Sequence, residues 1–331
     1  MVSIKNILTE EEYEDVEKKA FPGFLKPMLA TLTHDYFDDP CWIYERKLDG
    51  ERAICFSRNG KCWIKSRNDK DISFRYPEII DRISSNGFSF IVDGEIVAFD
   101  KRVTSFEKLQ KRMHLTSEEE ALRSGVRVFY YLFDMIYFQG FDVTGVSLVS
   151  RKKMLKKSIA FHDPVRYVPH RNERGLKYYK EACKKGWEGI IAKDGDSSYV
   201  HTRSKKWLKF KCVKDQEFIV IGYTDPSGSR VGFGALLIGY HEGKKIKYAG
   251  EVGTGYSDRT LKMLKDKLTE IETDVPPVDP AAVSEKNLHW VKPKLVCEVG
   301  FTEWTRNGKL RHPRYKGLRD DKDPSDVTRE D

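Results

Sequence analysis

Residues 41–66 read CWIYERKLDGERAICFSRNGKCWIKS. Aromatic and β-branched residues come in short runs, with no apolar recurrence at helical spacing, and the runs are broken at Asp49-Gly50 and Asn59-Gly60. Asn-Gly between two such runs is a strong hairpin signal, because both turn residues must accept positive φ. The stretch therefore predicts short antiparallel strands. FSFIVDGEIVAF (88–99) continues the texture, while helical patterns interrupt it near 105–123, 151–159 and 175–185. Strands and helices alternate without a regular βα period, so an α+β fold with largely antiparallel sheets is expected over a doubly wound parallel one.

Outward from this core, residues 1–20 are acidic, and Thr9 with Glu12 forms a capping box that predicts a helical extension through about Ala20. PGFLKPML (22–29) ends it. Towards the C-terminus come EFIVIGYT, GALLIGYH, KKIKYAGEVG and LVCEVGFTEW, four β-rich segments with one helical pattern among them. In that pattern Leu261, Leu264, Leu268 and Ile271 recur behind a Ser257 or Asp258 cap. About five strands and one helix suit a small barrel, with the oligonucleotide-binding (OB) fold as leading candidate. The expected organisation is an extension at 1–20, a first domain at 21–213 and a barrel domain at 214–331.

The 331 residues carry 59 Lys plus Arg against 51 Asp plus Glu, a net charge of +8, with 39% hydrophobic and 12% aromatic residues. That is apolar enough for real cores and excludes a disordered chain or a coiled-coil rod. The cationic excess is concentrated: residues 203–214 hold six cations and no acid, and 306–322 hold seven cations against two acids. No stretch approaches the ~18 apolar residues of a membrane helix, and the N-terminus lacks a signal-peptide centre, so a cytoplasmic protein with no membrane partner is expected. Six cysteines without a CxxC pair predict reduced, mostly buried thiols rather than a zinc site or a disulfide framework.

Several segments can carry chemistry. Lys47 precedes Asp49-Gly50 and, alone, reads as an exposed lysine beside an Asp-Gly hairpin. Asp93-Gly94 sets Glu95 at the start of an apolar strand, and Glu188 precedes a second one; singly, each acid reads as a rim carboxylate or half a surface ion pair. Facing one lysine, two such carboxylates would make a metal and nucleotide site. In Lys205–Lys211 cations alternate with apolar groups, so Lys209 and Lys211 share one strand face and Leu208 and Phe210 the other. Phe133 in FYYLF reads by itself as a core aromatic.

The order is more specific than any member: KLDGER (47–52), SRN (66–68), DGEIV (93–97), YLFDMIY (131–137), EGIIAK (188–193), WLKFK (207–211) and RHPRYKGLRDDK (311–322). This series resembles the motif set of covalent nucleotidyltransferases, the ATP-dependent DNA ligases and mRNA capping enzymes. SFEKLQKRM (105–113), DPSGSRVGFGALLIGY (225–240), YAGEVGTGYS (248–257) and HWVKPKLVCEVGFTEW (289–304) are similar to the ligase module of DNA ligase D, here expected as a stand-alone enzyme.

The resemblance implies a nucleotidyltransferase (adenylation) domain followed by an OB-fold domain. It implies that Lys47 attacks the α-phosphate of ATP to give lysyl-AMP, with Leu48 beside it and Asp49 orienting its loop. Arg52, Lys209 and Lys211 would favour the neutral amine and stabilise phosphate charge. Glu45 would recognise adenine, Phe133 would stack on it, and Lys193 would line the nucleotide pocket. Glu95 and Glu188 would contact ribose and hold Mg2+ or Mn2+. Arg67 would engage nick phosphate, and Arg230 is a candidate duplex contact, a solvated turn arginine being the equal alternative. Arg311, Arg319, Asp321 and Lys322 would orient the leaving pyrophosphate. The implied partners are nicked or broken duplex DNA and a Ku-like end-binding protein, the enzyme acting as a monomer. The alternatives are an RNA ligase or capping-type enzyme, or a non-catalytic nucleic-acid-binding protein.

Overall fold

The computed structural model describes residues 4–212, 214–228, 230–305 and 307–330. The chain divides into two compact units, 1–212 and 213–331.

In the first unit an eight-stranded sheet is built around Val128–Phe138, Phe90–Asp100, Glu51–Arg58 and Lys61–Ser66, neighbours in that order. A five-stranded sheet runs His170–Arg171, Trp42–Lys47, Gly189–Asp194, Arg203–Lys211 and Leu29–Leu32. Pairing is antiparallel except where Leu29–Leu32 joins Arg203–Lys211 and where Val165–Tyr167 joins Val128–Phe138. Period-2 alternation sorts the side chains into layers. Ala53 and Cys55 face a core closed by helices Pro77–Ser84, Phe106–Met113 and Leu148–Ser158. Ile54 and Phe56 face the second sheet, packing with Ile43, Phe133 and Trp207. On the outer face of that sheet Tyr44, Ile190 and Phe210 pack under helix Gly175–Lys184.

The Asn59-Gly60 hairpin forms with φ of 51° and 77°, as a two-residue turn requires. Asp49-Gly50 does not make a hairpin. Trp42–Lys47 and Glu51–Arg58 belong to different sheets, and the turn carries the chain from one to the other. A Cβ on Gly50 would lie 2.1 Å from the Ile96 carbonyl oxygen, so glycine is what permits the crossing. Lys47 is thereby left where the two sheets diverge. Asp93-Gly94 is likewise no strand start: it lies inside Phe90–Asp100, where a Cβ on Gly94 would meet Tyr130 and the Tyr131 carbonyl at 2.6 Å.

Residues 4–20 do not stand apart. The Thr9 capping box is present, but its helix spans only Glu10–Glu14; Glu17–Lys18 then pairs with Phe141–Asp142, and Ile4, Ile7 and Leu8 are buried in the first core. Cys183 and Cys212 form a disulfide, against the expectation of reduced thiols. The two residues are 29 apart in sequence and meet only because the end of Arg203–Lys211 returns to the helix carrying Cys183. Cys55 and Cys297 are free and buried.

The second unit is a five-stranded antiparallel sheet in the order Lys245–Val252, Leu236–Glu242, Lys214–Thr224, Leu288–Phe301, Arg314–Leu318. Helix Asp258–Thr269, capped by Ser257, buries Leu261, Leu264 and Leu268 against it.

Candidate active site

Register assembles the site on one face of the second sheet. Lys47 lies opposite Gly189, itself opposite Lys211; Glu45, Ile191 and Lys209 form the next row, and Ile43, Lys193 and Trp207 the third. Alternation thus puts Lys47, Glu45, Lys193, Trp207, Lys209 and Lys211 on a common face. The first sheet opposes it with Arg52, Glu95 and Tyr131 in one cross-strand row.

Lys47 Nζ pairs with Glu188 Oε1, both side chains largely buried. The other oxygen, Oε2, is buried and has no hydrogen-bond partner among the described residues. The Glu188 carbonyl accepts from the Cys212 amide at 2.9 Å, so the acid is braced by the chain leaving Arg203–Lys211. Deeper in the cleft, Glu45 is 2% exposed and bridges two buried lysines, Lys152 and, at 2.6 Å, Lys193. Burial pushes its carboxyl up, but the two ammonium groups outweigh this and hold it below the usual range. For Lys193 burial outweighs Glu45 and brings the ammonium down to about 8.

Arg52 is fixed in position. Its fork donates to both Asp93 oxygens at 2.6 Å and to the Met28 carbonyl at 3.1 Å, and the Tyr199 hydroxyl donates to the same carboxylate. Burial opposes the charge, yet Asp93 raises the guanidinium pKa above its ordinary value. The Phe133 ring lies under Lys193 at 4.2 Å and Arg52 at 4.5 Å, with Trp207 edge-on at 6.1 Å. Arg67 follows Ser66, the cross-strand partner of Ala53, which brings it to the Arg52 end of the sheet. Leu48 and Asp49 form the crossing, where the Asp49 amide donates to Thr104 Oγ1 at 3.3 Å.

The structure therefore brings together Lys47, Glu45, Arg52, Glu95, Phe133, Glu188, Lys193, Lys209 and Lys211. Both Glu45 oxygens, expected at adenine, are held by lysines. Arg230, Arg311, Arg319 and Lys322 belong to the second unit. There Arg319 is bidentate to Asp321 at 2.9 Å and reaches Glu298 at 2.9 Å, Lys322 pairs with Glu217 at 3.0 Å, and Arg311 pairs with Glu303 at 2.7 Å. Arg230 is no solvated turn residue: it donates to the carbonyls of Phe233 and Gly253, both at 2.9 Å.

Asp93, Lys152, Tyr199 and Trp207 escape sequence reasoning. Trp207 had a signal, since in WLKFK it falls two and four residues before Lys209 and Lys211, on their face. Lys152 had none, being a cation in an ordinary helical pattern.

Residues 27–211 match the family described as "ATP dependent DNA ligase domain", and 229–322 match "ATP dependent DNA ligase C terminal region". The chain belongs to the ATP-dependent DNA ligase family. This ligase is 34% identical over 322 residues to the multifunctional non-homologous end joining protein LigD of Pseudomonas aeruginosa, covering 95% of the chain and 37% of that protein. With LigD of Mycobacterium tuberculosis it shares 35% identity over 313 residues, covering 92% and 40% respectively. A DNA ligase of Saccharolobus solfataricus is 30% identical over 325 residues, with 87% and 54% covered. The ligase thus spans about two fifths of the LigD proteins it matches. Among solved structures, mycobacterial DNA ligase D complexed with ATP and MES aligns with a TM-score of 0.67 at 32% identity, covering 92% of this chain and 98% of that one. The M. tuberculosis LigD ligase domain aligns at 0.50 and 32%, with the same coverage. The fold is accordingly a nucleotidyltransferase domain followed by an OB-fold domain.

Proposed function

We propose that this ligase seals 5′-phosphate/3′-hydroxyl breaks in duplex DNA through lysyl-AMP and DNA-adenylate intermediates, in end-joining repair. The observation that carries the reading is Lys47 at the mouth between two sheets, held by Glu188, on the face that also bears Lys209 and Lys211.

An unperturbed lysine amine, with a pKa of about 10.4, is charged at neutral pH and has no lone pair to donate. Glu188 holds the ammonium where a phosphate arrives. Lys209 and Lys211, on the same face, stabilise the negative charge that grows on the α-phosphate. Once one ammonium proton has passed to water, the neutral amine attacks the α-phosphorus, an N–P bond forms as the P–O bond to pyrophosphate breaks, and the second nitrogen proton leaves to water or pyrophosphate. A 5′-phosphate oxygen then displaces Lys47 and takes the AMP. Finally a 3′-hydroxyl attacks that phosphate, loses its proton and releases AMP. Arg52, whose Nε and Nη2 are held by Asp93 and the Met28 carbonyl, keeps Nη1 for a phosphate or ribose oxygen, and Arg67 would take the nick phosphate.

Mg2+ or Mn2+ fits the donor set. Glu188 Oε2, without a hydrogen-bond partner among the described residues, would be a hard oxygen ligand, and Glu95, on the facing sheet, would supply a second carboxylate. Two carboxylates beside phosphate oxygens and water suit a magnesium-type ion, which when bound would neutralise triphosphate charge. DNA contacts without base reading make sealing strongly salt-dependent.

The test is incubation with labelled ATP or GTP, followed by nicked DNA or RNA. A protein adduct from ATP that is lost in Lys47→Ala, with sealing of the DNA nick, is expected. An adduct from GTP alone points to a capping-type enzyme, sealing of RNA alone to an RNA ligase, and Lys47→Ala with full activity overturns the mechanism. Stimulation of linear-end joining by a Ku-type protein, absent in nick sealing, checks the end-joining assignment.

A further inference from the structure

Arg46, immediately before Lys47, is used by nothing described so far. Its guanidinium lies over the Trp187 ring at 4.3 Å and 5.7 Å from the Phe99 centroid. Nε and Nη2 are buried and have no hydrogen-bond partner, and among the described residues no carboxylate pairs with the group. On this half-buried side chain two guanidinium nitrogens are buried with unsatisfied donors, which is costly and needs a reason. Burial accordingly pulls the pKa of this arginine below its usual value.

The position supplies the reason. Arg46 and Trp187 directly precede Lys47 and Glu188, but alternation turns Arg46 off the Lys47 face, to the side of the sheet that carries Ile190 and Phe210, so the stack stands beside the ion pair and not over it. The same aromatic ledge continues outward with more cations: Lys185 lies 4.9 Å from the Trp187 ring, Tyr178 is edge-on to it at 6.0 Å, and Arg171 covers Tyr178 at 4.2 Å. Cations interleaved with aromatic rings are the pattern by which proteins track a phosphate backbone. A planar fork with vacant donors suits an oxyanion able to take two hydrogen bonds.

We propose that Arg46, stacked on Trp187, is a phosphate-binding subsite of this ligase, filled by a phosphate of the DNA strand or by a phosphate of ATP. The inference rests on the sealing reaction proposed above, and it is tested on steps whose failure can be told apart from failure of that reaction.

The experiment compares wild type, Arg46→Gln and Arg46→Lys, each confirmed as folded by circular dichroism. One arm titrates pre-adenylated protein with a fluorescent nicked duplex between 50 and 200 mM salt; the other measures KM for ATP in adduct formation. A charge-assisted hydrogen bond lost from Arg46→Gln weakens binding about tenfold or more. If the source is DNA, the duplex Kd rises by that factor, the salt slope falls by about 0.9, and Arg46→Lys regains the slope without full affinity. If the source is ATP, KM for ATP rises instead and the duplex Kd stays unchanged. Both quantities within twofold of wild type in both variants, while Lys47 still forms its adduct, would overturn the subsite and leave the sealing reaction standing.

Discussion

Glu45→Gln removes one negative charge from between two buried ammonium groups. Glu45, Lys152 and Lys193 are 2%, 1% and 2% exposed, so water cannot replace the lost partner. Removing one member of a buried ion pair costs about 3–5 kcal/mol, because the charge left behind is uncompensated. Glu45 serves two lysines, which places the expectation at the upper end of that range, against a domain stability of roughly 5–15 kcal/mol. The pH dependence has a definite sign. In wild type the Lys193 ammonium is already brought down to about 8, against 10.5 for an ordinary lysine. Without Glu45 it falls further, while the unfolded chain keeps the ordinary value. Between the two values the unfolded chain binds more protons, so the variant gains stability as pH rises. Wild-type Lys193 also gives up its proton across this interval, so the cost measured by urea unfolding at pH 7 should shrink by about 1 kcal/mol at pH 9, within the ~1.4 kcal/mol that one unit of pKa difference is worth. Replacing Lys193 by Met in the Glu45→Gln background should recover part of the loss, with a coupling energy of about 1–3 kcal/mol. A loss below ~1 kcal/mol, equal at both pH values, would refute the assignment of Glu45 as counter-charge of this cluster.

Two further perturbations probe the frame around Lys47. Gly189 has φ +152°, and a Cβ there would stand 2.0 Å from the Phe210 carbonyl oxygen; Gly189→Ala should push apart the strands that register Lys47 with Lys211, lowering Tm and slowing lysyl-AMP formation more than tenfold, an effect read by thermal denaturation and adduct mass. The Cys183–Cys212 disulfide closes a loop with sequence separation 29, so its reduction should destabilise the first unit by up to ~3.6 kcal/mol on chain entropy. Alkylation of the unfolded protein should find four thiols without reductant and six with it, and six in both would refute the bond.

Much of the site was legible in sequence because nearest-neighbour chemistry specifies it. Asn59-Gly60 dictates a turn by its own φ preferences, Ser257 and Thr9 cap by their own hydroxyls, and WLKFK distributes its side chains by strand alternation alone. The ordered motifs singled out Lys47, Glu188, Lys209 and Lys211 without any knowledge of distance, and the register gathers them at one place. What the local pattern misread was Asp-Gly, taken at 49–50 for a hairpin and at 93–94 for a strand start. In both places the glycine answers to a backbone packed against it from another strand, which no local preference encodes. Tertiary structure also decided that Asp93 holds Arg52, that Lys152 and Lys193 share Glu45, that Cys212 reaches Cys183, and that Arg46 lies vacant on Trp187. Each of these brings together groups distant in sequence, and for the charged ones the balance turns on desolvation. The cost of burying a charge, and the partner that offsets it, exist only once two sheets have closed over the site.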